Sequence, residues 1–296
     1  MFKFPRTAPE IVIEEIPDED MKIEYFDSLR TFVLLQPGEE LEYGFYQPYR
    51  RSEKNTAFAN RLGLTMAFRV RVAGKLRLDG REVYELEHQD RFSEYIDLSD
   101  SSYAQYNALS ERRYEALDAD GWQMIAWTLR RGRNPWLHQH WDMTPIPSCL
   151  YPGLTIHGHE RVVSDKAQWN YERIAYAKSG PKQIKESEED QRGLRRPRIW
   201  DHESLFEVVG AVRLKLGPKE HRCLKAYYSY WDHDVPHTLG ESYISDIGRT
   251  VLFRRYAGNT ASRWDVLEGN RTIDYRGTEW RHYYDCIPDH ALVIDG

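Results

Sequence analysis

A chain of 296 residues, 41% hydrophobic and 30% charged, is long enough to bury a substantial core as one large domain or two ordinary ones. Its net charge of −6, from 41 basic and 47 acidic side chains mixed along the sequence, argues against a general binder of nucleic acid or anionic membrane. The unusual quantity is the 13% aromatic share, with 20 Tyr and 9 Trp, which favours pleated sheet and supplies rigid walls for a pocket.

In chain order, an acidic, Pro-broken segment to about Asp20 precedes strand character over 40–46 and 64–72. Residues 76–84 read as a hairpin, because Asp79-Gly80 supplies the positive φ that a tight turn needs. A helix is expected next. Ser99 to Ser102 offer N-caps, Tyr103, Tyr106, Leu109 and Tyr114 or Leu117 recur at helical spacing, and Gly121 stands where it would stop. Strand character returns from Trp122 to Arg131. A second helix is expected from Asp165 to about Lys178, with a stripe of Ala167, Tyr171 and Ile174, ended by Gly180-Pro181. Residues 178–198 are polar and charged and read as an exposed linker.

The last hundred residues read as an antiparallel meander. Short β-rich runs at 206–216, 222–231, 241–244, 250–256, 264–267, 272–275 and 280–286 alternate with Gly-containing turns, the pattern of a curled sheet or barrel. Gly74-Lys-Leu-Arg-Leu78 matches Gly210-Ala-Val-Arg-Leu214, which suggests two related β-rich halves. The expected fold is α+β and predominantly antiparallel β: one or two strongly curved sheets, barrel or half-barrel, with about two packed helices. The expected organisation is a β-rich half at 1–180, a charged linker at 181–200 and a meander half at 201–296, packed as one unit.

Two constellations carry potential chemistry. The first is Trp136-Leu-His138-Gln-His140-Trp141-Asp142, followed by His157 and His159. On a strand, residues two apart point the same way, so His138, His140 and Asp142 share a face with Trp136. Imidazole is a common ligand of Zn and Fe, which makes His138, His140, His157 and His159 candidate ligands of a divalent metal. Backbone-tethering histidines beside a core of Trp136 and Trp141 are the competing reading. Gly132, six residues before His138, matches the opening of a cupin motif, but no glutamate follows at the expected place and no cupin is assigned.

The second constellation is Tyr227-Tyr228-Ser-Tyr230-Trp231-Asp232-His233-Asp234. Alternation places Tyr228 and Tyr230 on one face and Tyr227, Ser229 and Trp231 on the other. Asp232 could orient His233 as a general base, while a polar hairpin tip with Asx turns is the competing reading.

Walker, dinucleotide-binding, nucleophile-elbow and H-E-x-x-H motifs are missing, which argues against nucleotide-driven, Rossmann and serine-hydrolase chemistry. Cys149, Cys223 and Cys286 lie far apart and read as free thiols in a reducing cytoplasm, and the start lacks a secretory apolar region. No apolar run is long enough for a membrane helix. The function expected is a cytoplasmic barrel-like protein binding a small hydrophobic or aromatic molecule. Trp136, Trp141, Tyr228, Tyr230 and Trp231 would form the walls, no nucleic-acid or membrane partner is expected, and a homodimer is compatible. The alternatives are an enzyme on the same scaffold, using the histidines as metal ligands or His233 with Asp232 as acid and base, and an interaction protein without a ligand.

Overall fold

The computed structural model describes residues 4–17, 37–48, 62–90, 109–131, 137–164, 198–232, 235–246, 248–257 and 272–292. They form β1 (Ile11–Ile16), β2 (Glu40–Pro48), β3 (Leu62–Leu78), β4 (Arg81–Asp90), β5 (Leu109–Asp118), β6 (Gly121–Arg131), β7 (Leu137–Met143) and β8 (Thr155–Ser164). After these come β9 (Arg198–Leu216), β10 (Lys219–Asp232), β11 (Val235–Ser245), β12 (Thr250–Ala257), β13 (Thr272–Tyr275), β14 (Thr278–Pro288) and a 3-10 turn at Asp289–Ala291.

The strands pair antiparallel in the order β9-β10-β11-β12-β14-β2-β3-β4-β5-β6-β7-β8, and β8 pairs with β9 to close a twelve-stranded barrel. Closure leaves no long free edge. Most connections are hairpins whose turns match their residues. Asp79-Gly80 and Arg276-Gly277 take positive φ at both central positions, as a two-residue type I′ turn requires.

The long strand β9 needs several partners on one edge. Residues 198–207 pair with β8, Val208 bonds through its backbone to Gly153 and Leu154, and residues 211–216 pair with β1. Gly74 and Gly210, which open the repeated five-residue pattern, each lie beside a bulge of a long strand, against Glu85 and Lys225 respectively. A bulge bends its strand and increases twist, which a closing sheet demands.

This architecture corrects the α+β expectation: no α-helix is present among the described residues. Residues 109–118 of the first expected helix form β5, while its start at 99–108 and the whole second helix, 165–178, lie outside the described residues. The misreading of β5 has a physical cause. Its inward positions are Glu111, Arg113 and Glu115, so charge stands where a strand normally shows its apolar alternation. The remaining Tyr114 and Leu117 then fall at a helical spacing by accident. The strand expected at 264–267 and most of the linker at 181–200 also lie outside the described residues.

Each strand presents one face to the barrel interior and the other outward. The outward face is bare along β7 and β8 and carries the exposed Arg71–Glu87–Arg112 ion pairs on β3 to β5, but is covered over β2 and much of β9 to β14. Phe4 lies against Gly44, where a Cβ would meet its ring at 2.8 Å, and Leu64 donates its N–H to the Arg6 carbonyl at 2.9 Å. Phe4, Ile11, Ile13, Ala291 and Leu292 thus pack on Tyr46, Leu214, Tyr243 and Ile287. The β13–β14 hairpin covers Tyr227, Leu239 and Tyr256 in the same way. The β7–β8 connection turns inward, with Ile146 and Leu150 packing on Phe206, Val208, Leu224 and Ala226.

Candidate functional site

The His-x-His pairs share a face, as expected for strands, and that face is the outward one. His138, His140, His157 and His159 are exposed, whereas Gln139, Met143 and Glu160 between them are buried. The register sets His140 opposite Val163 and Asp142 opposite Arg161, so the two pairs are not across from one another. His159 Nε2 stands 3.9 Å from Asp142 Oδ2 with both side chains more than half exposed, a solvent-screened contact of little energetic weight. Among the described residues, no three His, Cys, Asp or Glu side chains are grouped to hold a metal ion. All three cysteines are free; Cys149 is exposed and Cys223 and Cys286 are buried.

The aromatic residues divide differently. Trp136 and His233 lie outside the described residues, and Trp231 and Asp232 are placed only as the end of β10. Trp141, Tyr228 and Tyr230 are on the inward face and half-buried. The Tyr228 hydroxyl donates to Glu160 Oε2 at 2.6 Å, reaching from β10 past β9 to β8. Burial pushes both groups up, the phenol further because it faces the carboxylate; the hydrogen bond from Tyr228 partly offsets the rise at Glu160. Tyr230 completes this cluster, with its ring 6.5 Å from Tyr228 and 5.2 Å from His202.

A second inward cluster carries residues that spacing in the sequence did not single out. Arg113, Trp127 and Gln139 are direct neighbours across β5, β6 and β7. The Arg113 guanidinium lies over the Trp127 ring at 5.8 Å and donates to Glu111 Oε1 at 2.9 Å, and Trp127 and Trp141 are 6.4 Å apart. Glu111 also faces His88 Nδ1 at 3.0 Å; burial, then the Arg113 charge, holds that imidazole well below its ordinary value. Burial opposes the charge on Arg113, but Glu111 and Glu115 outweigh it and the guanidinium stays firmly protonated. Trp127 Nε1, Trp141 Nε1 and Gln139 Oε1 are buried with no hydrogen-bond partner among the described residues, and a group left so costs about 1–3 kcal/mol.

The two clusters are joined through Tyr284. Tyr284 is the cross-strand partner of Arg255 on β12, and its hydroxyl lies in the field of Arg255 and of Arg113 on β5. Four strand spacings separate β14 from β5, about 19 Å measured along the wall. An interaction between them therefore crosses the interior. Arg113 lies on the inward face, where its Nε is buried but 40% of its side chain as a whole remains accessible. Trp127, Trp141, Tyr228, Tyr230, Arg255 and Tyr284 are half-buried in the same manner.

The outward face holds a polar network of another kind. Glu241 accepts from Tyr256 at 2.6 Å, Tyr243 at 2.8 Å and Tyr227 at 3.3 Å, and pairs with Lys225 at 3.1 Å. Beside it Asp285 Oδ1 takes Arg254 Nε at 3.1 Å and His282 Nε2 at 2.8 Å. Glu241, Arg254, His282 and Asp285 are buried beneath the outer layer, and the partners of Glu241 occupy its oxygens. The network ties β10, β11, β12 and β14 together.

No protein-family model matches the chain, and no curated protein matches it. Among solved structures, the chain is similar to a protein of YmcC-like fold from Bacteroides fragilis, over 88% of this chain and 98% of that one, at 12% identity and a TM-score of 0.38.

Proposed function

We propose that this protein binds a small aromatic molecule inside the barrel. The observation that carries the reading is Arg113, whose side chain lies over Trp127 on an inward wall and is still 40% accessible there. Space bounded by aromatic faces and a few fixed polar groups is the usual make-up of a small-molecule site. Trp127 and Trp141 form one wall, Tyr228 and Tyr230 another, and Glu160 and Gln139 supply polar contacts. The buried, unpartnered indole and amide atoms at the first wall support it further, because such costs are characteristic of functional sites. Outside, β7 and β8 present His138, His140, Asp142, His157, His159 and Arg161, a polar surface unlike the apolar band of a membrane barrel.

Tryptophan fluorescence tests the reading. A panel of one- and two-ring aromatic compounds is titrated into the wild type, Trp141→Phe and Trp127→Phe. Saturable quenching is expected in the wild type, with its amplitude reduced in both variants. Quenching that is linear and unsaturable for every compound would dispose of an interior site.

A further inference from the structure

Arg255 is a cation on the inward face whose partners among the described residues are neutral. Its Nη2 donates to Thr238 Oγ1 at 3.3 Å, and the phenols of Tyr284, Tyr230 and Tyr283 lie near it. Among the described residues no carboxylate lies within ion-pair range of it. The neighbouring Arg254 shows the contrast: it points outward and has Asp285 at 3.1 Å. Arg113, across the interior on β5, lies in the field of the same Tyr284 and is compensated by Glu111, which it shares with His88, and by Glu115. Among the described side chains of this face, Glu115 and Glu160 accept from Trp122 Nε1 and the Tyr228 hydroxyl at 2.9 and 2.6 Å. A desolvated cation without a counter-ion costs several kcal/mol, and hydroxyl dipoles recover only part of that.

Resting on the interior site proposed above, we infer that its ligand is an aromatic acid, whose anionic group sits at Tyr284 between Arg255 and Arg113. A carboxylate or sulfonate there accepts charge-assisted hydrogen bonds from Arg255 and from the accessible side of Arg113. Its ring then faces Phe45, 5.3 Å from Tyr284, and the Trp127–Arg113 stack. Neutral aromatic molecules fit the same walls but leave Arg255 uncompensated.

Calorimetric titration of the full chain at pH 7.5 compares two near-isosteric pairs: benzoate with benzamide, and 2-naphthoate with 2-naphthamide. The acid of at least one pair is expected to bind the wild type at least tenfold more tightly than its amide. Arg255→Met should erase that preference and Arg255→Lys should retain part of it, with thermal melts reporting the fold of each variant. Should Arg255→Met fail to fold, Arg113→Met is expected to reduce the same preference. Amides that bind as tightly as the acids overturn the inference while leaving the interior site standing, as does a preference that survives Arg255→Met. Failure of all four compounds, together with the fluorescence panel, overturns both.

Discussion

The hydroxyl of Tyr228 donates to Glu160 at 2.6 Å, and this bond holds a carboxyl group inside the barrel that burial drives towards its neutral form. The sign of its linkage to stability follows. A carboxyl whose folded pKa is raised stabilises fully below its ordinary value, and that contribution is lost as pH rises through the folded value. Glu160→Gln keeps an acceptor for Tyr228 and removes the titration. Its stability relative to wild type, measured by urea unfolding, should therefore rise between pH 4.5 and 7. Tyr228→Phe should cost about 1–3 kcal/mol at pH 7, because it strips a buried carboxylate of its donor.

The histidines act in the opposite sense. Burial, with Arg249 nearby, pushes His290 down to about 4, and burial lowers His221 and His88 as well. A histidine with a depressed folded pKa stabilises fully above its ordinary value near 6.5, and that contribution fades as pH falls towards the folded one, because the unfolded chain takes up the proton first. The melting temperature of His290→Asn should accordingly fall less than that of wild type between pH 7 and pH 4.5. Parallel curves would contradict the assignment.

Glu241 should be the most sensitive single position on the outward face. Its carboxylate lies below the ordinary range despite burial, because Lys225, Tyr256, Arg254 and Tyr243 surround it. Glu241→Ala leaves Lys225 unpaired in a partly buried setting and should cost about 3–5 kcal/mol. Tyr256→Phe removes a single donor and should cost about 1–2 kcal/mol. Equilibrium unfolding that ranks the two variants in the reverse order would contradict the role of Glu241 as the hub.

Gly121 and Gly74 form a matched pair. At Gly121 φ is +125° and a Cβ would fall on the Ile146 carbonyl, where the β7–β8 connection docks on the start of β6. Gly74 has open space around its Cβ position and no left-handed backbone. Gly121→Ala should therefore destabilise by at least about 2 kcal/mol, from strain plus the clash. Gly74→Ala should stay within about 0.5 kcal/mol of wild type, as for an unobstructed surface position. Chemical denaturation of both variants checks the pair.

Much of the barrel is legible in the chain because its turns use glycine where φ is positive. Asp79-Gly80 and Arg276-Gly277 fix hairpins, and the strand runs at 40–46, 206–216, 222–231 and 250–256 lie within observed strands. Alternation also pairs Tyr228 with Tyr230 and His138 with His140. It does not say which face is inside, since closure through the β8–β9 ladder decides that. The histidines consequently fall outside and the tyrosines inside. Arg254-Arg255 reads as an ordinary strand end, yet alternation sends Arg254 to Asp285 and Arg255 to the interior. Residues 109–118 are misread because a strand that lines a polar interior inverts the usual apolar signal.

The central claim is that an aromatic ligand enters the barrel and meets Trp127 and Trp141. Fluorine NMR of protein labelled with 5-fluorotryptophan, with resonances assigned by single Trp→Phe variants, tests it directly. Saturating 2-naphthoate should shift the Trp127 and Trp141 signals and leave Trp280, buried under the outer layer, unmoved. Shifts confined to Trp280, or no shift at any tryptophan, would contradict it.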